Sequence, residues 1–246
     1  MLEQEYAFYL ADTDAGKSIH YGLRYQVYCL REKYEDPSRH PDFCEQDEFD
    51  DLSVHFIARS LMTGEWLGAM RLITGPVHNL PVTKFAGLDP ANFSYNDEAN
   101  FAEASRLCTL LPSHVRSSFA SNSTQNRAAG PCNCAAKTLQ TSWIAMGLIR
   151  AARGYCLTHE ITYCFFLISD PLARMLRRLG MDIEPVGSPC QHRGWRRPYI
   201  HNVETGYRVM HRRSPELYRI FCQPHAYFHY SDLMEELEPT PMAALA

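Results

Sequence analysis

Four charged clusters within the first 106 residues have the makings of a reaction site. They are Arg24 with Tyr28, the run Asp47-Glu48-Phe49-Asp50-Asp51, Arg71 in Gly-Ala-Met-Arg-Leu, and Glu103-Ala-Ser-Arg106. Each adjoins apolar sequence of the kind that folds inward, and buried arginines and carboxylates are costly unless they meet one another. Convergence is therefore expected, with Asp47, Asp50, Arg71 and Arg106 able to close an ion-pair network. Such a network can pin the acidic loop to a sheet, the role expected of Arg106. It can also shape a pocket for a charged amino or carboxyl group. Glu103 is the candidate general base, because desolvation in a cleft raises a carboxylate's pKa; the alternative is a structural partner for Arg24 or Arg71. Ser105 can bond a substrate or merely its own strand. His55 alternates with apolar neighbours, which marks core or pocket lining rather than a base. Cys108 lacks an evident partner histidine.

The elements that would position these groups follow from periodicity and punctuation. Ile19, Leu23, Val27 and Leu30 recur at helical spacing and predict an amphipathic helix over 15–35, capped by Thr13 or Asp14. Arg24 and Tyr28, four apart, share one face of it. Pro37 and Pro41 then open the loop that carries the acidic run. Residues 54–58 and 66–73, separated by Met62-Thr63-Gly64-Glu65, predict a hairpin, and 103–111 a third strand. Loops around a short helix are expected over 74–100. Residues 112–136, rich in Ser, Asn and Ala, read as a mobile insertion or lid. A strong helix is expected over 135–157, then a buried strand over 162–168 and a short basic helix over 171–179, stopped by Gly180. Strands are expected near 182–187 and 198–203. From about 205 a C-terminal extension follows, aromatic enough to pack over 218–230 and fraying beyond 236. The order predicts a mixed α/β sheet with helices on both faces, as one domain over 1–246.

Composition narrows the function classes. With 46% hydrophobic and 21% charged residues in 246, disorder is excluded as the general state. No stretch approaches the roughly 18 apolar residues of a membrane span, and the acidic start lacks a signal-peptide pattern, so a cytoplasmic protein is expected. Nine scattered cysteines fit reduced thiols, and Cys132 and Cys134 form a C-x-C with no second pair, so no metal site is expected. Charge is uneven: residues 1–103 hold 8 Lys/Arg against 18 Asp/Glu, and residues 104–230 hold 16 against 6. That polarity suits an acidic partner, or simply the mutual attraction of the two halves. Nucleic acid is disfavoured, because only Trp195, Tyr199 and Tyr207 interleave the basic residues and no recognition-helix signature is present.

The ordered clusters resemble the acyl-homoserine lactone synthases, within the autoinducer-synthase branch of GNAT-type N-acyltransferases. The family pattern falls on Arg24 and Tyr28, Asp47 and Asp50, Arg71, and Glu103, Ser105 and Arg106. The likeness covers 15–110 well and 135–205 loosely. The insertion, the C-terminal extension and the lack of tryptophan between Asp36 and Asp47 look more like the N-acyl amino acid synthases and the PEP-CTERM/exosortase-associated acyltransferases. The resemblance implies a GNAT-type, mostly antiparallel sheet with a splayed central strand pair. It implies oxyanion donors near residues 106–108, so that Leu107 and Cys108 join the substrate-binding set. It also implies a long-chain acyl group arriving as a phosphopantetheine thioester on acyl carrier protein, with no tightly bound cofactor. An acyl chain needs an apolar tunnel, for which Phe101, Leu107, Trp143, Met146, Phe165 and Leu167 are suitable. Arg150, Arg153, Arg174, Arg177 and Arg178 could dock the acidic carrier or the phosphate, or form a solvated helix face. The stretch Arg193-Gly194-Trp195-Arg196-Arg197 is a second candidate. The expected activity is transfer of the acyl group to the amine of an amino acid or similar acceptor. A lactone synthase using S-adenosylmethionine is the alternative among enzymes, and a non-catalytic acyl-carrier or nucleic-acid binding module the alternative of another class.

Overall fold

The hairpin expected around residues 62–65 organises the sheet. β2 (Ser53–Ser60) and β3 (Trp66–Gly75) pair antiparallel, from Ser53 opposite Ile73 to Arg59 opposite Trp66. This computed structural model describes residues 2–88, 100–112, 132–223 and 227–237, and the side chains of its long helix from residue 141 onward. On one side of the hairpin lies β1 (Tyr6–Leu10), a strand that the sequence reading left unassigned. Its Tyr-Ala-Phe-Tyr run is buried throughout, so it lacks the alternation that would reveal it. On the other side lie β4 (Phe101–Thr109), β5 (Tyr163–Ile168) and β8 (Trp195–Asn202). Short strands β6 (Glu184–Pro185), β7 (Cys190–Gln191) and β9 (Phe228–His229) complete the order β6-β8-β5-β4-β3-β2-β1-β9, with β7 on β8. Among the described residues only β4–β5 and β1–β9 are parallel pairs, so the sheet is mixed and mostly antiparallel, as expected.

Helices cover both faces. α1 (Leu2–Glu5) precedes β1, and α2 (Asp14–Arg24) is capped by the Thr13 hydroxyl, which accepts from Gly16 N–H. The predicted single helix then loosens into a π-helix over Tyr25–Arg31, closed by Glu32 N–H on Val27 O. Such wide turns recur at functional sites because they re-aim side chains. α3 (Pro81–Phe85) follows β3. α4 (Cys132–Thr158) crosses the opposite face so closely that a Cβ on Gly147 would lie 1.9 Å from the Phe8 ring. α5 (Asp170–Arg178), α6 (Arg208–Arg213), α7 (Pro215–Phe221) and α8 (Tyr230–Leu237) are the remaining helices among the described residues. The larger core, including Phe56, Met70, Leu148 and Phe166, lies under α4. A smaller core of Ile73, Val77, Leu80, Val82, Phe101, Phe165 and Val186 lies on the other face. The insertion predicted over 112–136 falls largely outside the described residues, except that 132–136 open α4. No helix among the described residues is long and apolar enough to cross a membrane.

Two irregularities of β4 matter for the site. Cys108 pairs with Ala69 and Ser105 with Arg71, so Arg106 and Leu107 together face Met70 as a β-bulge. Arg106 sits at φ 54°, a left-handed conformation that a non-glycine residue holds only when its surroundings enforce it. The β4–β5 ladder also ends at Ala104 opposite Phe166, although the strands run on to Thr109 and Ile168. The expected splayed pair is therefore present.

Candidate active site

Convergence of the charged clusters follows from register. Ser105 lies opposite Arg71, and Arg71 opposite His55, which sets these side chains on one sheet face beneath α2 and the acidic loop. Arg24, fully buried, donates from Nε to Glu45 Oε2 and from Nη1 to Asp50 Oδ1, both at 2.6 Å. Arg71 Nη1 reaches Asp47 Oδ1 at 2.5 Å and Asp50 Oδ1 at 2.9 Å, and its Nε reaches Ser105 Oγ at 3.2 Å. Arg106 Nη2 bridges Asp47 Oδ2 at 2.5 Å and Glu45 Oε1 at 3.2 Å. Three guanidiniums thus meet three carboxylates. Glu45 was missed in the sequence, yet charge balance could have found it, since Asp47 and Asp50 alone leave one buried arginine uncompensated.

Burial alone would lift the Asp50 carboxyl. The His55 hydrogen bond and the charges of Arg24 and Arg71 outweigh it and hold Asp50 well below the ordinary carboxylate range. Burial also lifts Glu45 and Asp47, and their arginines again win, so both are lowered. His55 is itself lowered by burial, so it is a neutral donor to Asp50 at 3.1 Å, which fits a core role.

Glu103 stands apart on the same face. It is 2% exposed, and its Oε2 accepts the Val82 N–H at 2.6 Å. Among the described residues it forms no salt bridge, so the alternative of pairing with Arg24 or Arg71 is not realised. Burial dominates and pushes its carboxyl up to about 8, against smaller opposing effects of the Val82 N–H and the charges of Arg71 and Arg106.

Glu103 lines a cleft of about 230 Å³ that passes between the splayed strands. One half is polar, walled by Asp47, Phe49, Arg71, Phe85 and Ser105. The other is apolar, walled by Met70, Ala104, Ile149, Phe166, Ile168 and Leu176. A void of about 20 Å³ continues the apolar half along α4 and ends at Cys156, His201, Val203 and Tyr207. Polar and apolar parts of a ligand could thus be held on opposite sheet faces with Glu103 at the passage.

Of the expected substrate-binding residues, Tyr28, Asp47, Arg71, Ser105, Arg106 and Leu107 line this cleft. Tyr28, whose hydroxyl is pushed up to about 12 by burial, donates to Leu107 O at 3.2 Å and lies under the Arg106 guanidinium. Five others are corrected in position. Arg24 and Asp50 are buried behind the wall as its support. Cys108, expected beside the oxyanion donors, is absent from the cleft lining and packs in the core, where burial pushes its thiol up to about 12. Trp143 packs on the core rather than on the cleft. Phe165 points into the smaller core while its neighbour Phe166 faces the cleft; strand alternation settled which one, and the apolar run hid that phase. Among the expected docking residues, Arg174, Arg177 and Arg178 are exposed on α5. Arg150 is corrected: it is 3% exposed and held by Glu3 at 2.7 Å, which removes it from any docking surface. Arg153 donates to Val203 O and lies over Tyr207. Among the described residues no group of three His, Cys, Asp or Glu could hold a metal ion, and the described cysteines are free.

The comparisons with known proteins fit this geometry. Residues 23–119 match the family model of the acetyltransferase (GNAT) domain. No curated protein matches the chain in sequence. Among solved structures, TofI in complex with an inhibitor and MTA is 17% identical, with a TM-score of 0.56 over 86% of this chain and 99% of that one. The CoA-dependent acyl-homoserine lactone synthase BjaI is 18% identical, with a TM-score of 0.56 over 85% and 88%. FeeM, an N-acyl amino acid synthase from uncultured soil microbes, is 12% identical, with a TM-score of 0.52 over 80% and 90%. Over residues 23–119 the chain is similar to the GNAT acetyltransferase domain, and its fold is the one seen in acyl-homoserine lactone synthases and an N-acyl amino acid synthase.

Proposed function

We propose that the protein transfers a fatty acyl group from a phosphopantetheine thioester to the amine of an amino-acid-like acceptor. The observation that carries this reading is Glu103, a buried carboxyl with no salt-bridge partner among the described residues and a pKa of about 8, set where the polar and apolar halves of the cleft meet. Aminolysis of a thioester needs a neutral amine, donors for the tetrahedral oxyanion, and a donor held in line. Glu103 takes the amine's proton, directly or through a water. Past Ala104 the β4 backbone has no ladder partner on β5, so amides at the bulge of Arg106 and Leu107 are placed to receive the oxyanion. The acyl chain occupies the apolar half beneath α4, where each methylene buried contributes about 0.8 kcal/mol. The ion-pair network holds the acceptor wall rigid.

The exposed arginines of α5, a helix whose Leu172 and Leu176 line the cleft, favour an acidic acyl carrier protein as donor. A cytoplasmic location, where such carriers are found, accords with this. Mass spectrometry of lipids from cells expressing the protein tests the reading: N-acyl amino acids should appear and vanish with Glu103→Gln. The rival lactone synthase is supported by the likeness to BjaI, a lactone synthase described with SAM. It would instead release methylthioadenosine from labelled S-adenosylmethionine.

A further inference from the structure

Among the described residues four arginines line the cleft: Arg71, Arg106, Arg193 and Arg196. The first two belong to the neutral network, and Arg193 is paired with Glu35. Arg196 differs. Its Nε donates to His192 O at 2.9 Å and its Nη2 to Arg193 O at 3.3 Å, both backbone carbonyls. Among the described residues it has no carboxylate partner, so a half-buried positive charge faces the cleft uncompensated. The two carbonyls also fix the guanidinium, so little side-chain entropy remains to be lost on binding.

The turn that holds Arg196 is itself built. Arg193 and Gly194 take φ of 51° and 93°, which folds β7 back on β8. The His192 ring stacks on Phe85 with centroids 4.2 Å apart, which ties the turn to α3 on the polar half of the cleft. Arg193 Nη1 lies 2.7 Å from His192 Nε2. A guanidinium can only donate, so Nε2 is the acceptor and the ring proton sits on Nδ1. Burial and the charges of Arg193, Arg106 and Arg196 push the ring down to about 4, so it stays neutral. The turn thus offers a fixed cation beside a neutral imidazole, away from the apolar half.

We propose that Arg196 binds the carboxylate of the amine acceptor, so that the acceptor is a free amino acid rather than a simple amine. The inference rests on the acyl-transfer reading above. It assigns this basic turn to the acceptor rather than to the carrier. A planar carboxylate suits the guanidinium fork, and a charge-assisted pair of this kind discriminates strongly against a neutral analogue.

The test has two arms, each run with wild type and with Arg196→Gln and Arg196→Lys. In the first, acylation of an amino acid is compared with that of its carboxamide. Wild type should prefer the acid, and Arg196→Gln should raise its KM about 10–100-fold, with the amide altered less than about threefold. Arg196→Lys should recover part of the preference, which a turn merely loosened by mutation would not. In the second arm, calorimetry compares binding of an N-dodecanoyl amino acid with that of its carboxamide. A wild-type protein that takes acid and amide equally overturns the inference. So does an Arg196→Gln defect that appears in the KM of the acyl donor instead of the acceptor. If no amine is acylated, the acyl-transfer reading fails, and the calorimetric preference alone decides whether Arg196 is a carboxylate site.

Discussion

Asp50, from the acidic loop, and Glu103, from β4, meet one sheet face, both almost fully buried, and their fates are opposite. Asp50 receives Arg24, Arg71 and His55 on one oxygen and the Asp47 N–H, at 2.7 Å, on the other. Glu103 receives one backbone N–H and, among the described residues, no cation. The first stays ionised in any ordinary buffer, whereas the second is poised near pH 8. The difference teaches where to look for chemistry: a charge that is fully matched holds structure, and one deprived of a partner can exchange a proton.

Mutations can break this contrast from either side. The largest effect is expected from Glu103→Gln, whose amide oxygen can still accept the Val82 N–H. Acyl transfer should fall about 10²–10⁴-fold, the usual worth of a general base. In wild type the kcat/KM profile should rise with pH and level off above about 8, and this limb should be absent from the variant. Stability should move the other way. Glu103 has a folded pKa raised from 4.5 to about 8, so wild type loses stability as pH climbs through that window. Urea titration at pH 8 should therefore find Glu103→Gln more stable than wild type, by on the order of a few kcal/mol.

Arg24→Leu attacks the matched side. It removes a fully buried guanidinium, leaving Glu45 to Arg106 and Asp50 to Arg71 and His55, and denaturation should show a loss of about 3–5 kcal/mol. Arg106→Ala should cost less, about 1–3 kcal/mol, because Asp47 keeps Arg71 and Glu45 keeps Arg24. Acid should mimic these losses in wild type. The lowered carboxyls of Asp47, Asp50 and Glu45 contribute stability that is present above their unfolded values of 3.8 to 4.5 and disappears as pH falls below them. The acid limb measured by urea midpoints should be shallower in Arg24→Leu. The smallest effect concerns backbone alone. Arg106→Gly should be more stable than Arg106→Ala by about 1 kcal/mol, because glycine accepts the left-handed conformation at 54° without strain.

Much of this was legible in the chain, and the limits were physical. The hairpin at 62–65, the helix before Thr158 and the strand before Ser169 are local patterns, read from spacing alone. β1 was missed because a strand buried on both faces carries no alternation. The π-helix was missed because apolar spacing over a few residues does not separate wide turns from α-helical ones. Arg150 read as a surface cation, yet its charge is spent inside on Glu3, 147 residues away.

The sequence by itself determined that buried arginines and acids would have to meet, because unpaired ions do not survive burial. It also named four members of that meeting, Asp47, Asp50, Arg71 and Arg106, though not Glu45. Only the tertiary structure decided which carboxylate was left over. Glu103 and Ser105 are two residues apart on one strand, but register gives Arg71 to Ser105 and leaves Glu103 opposite Ile73. Register is a property of the whole sheet, and so the choice between an anchored charge and a reactive one lay outside the reach of any local pattern.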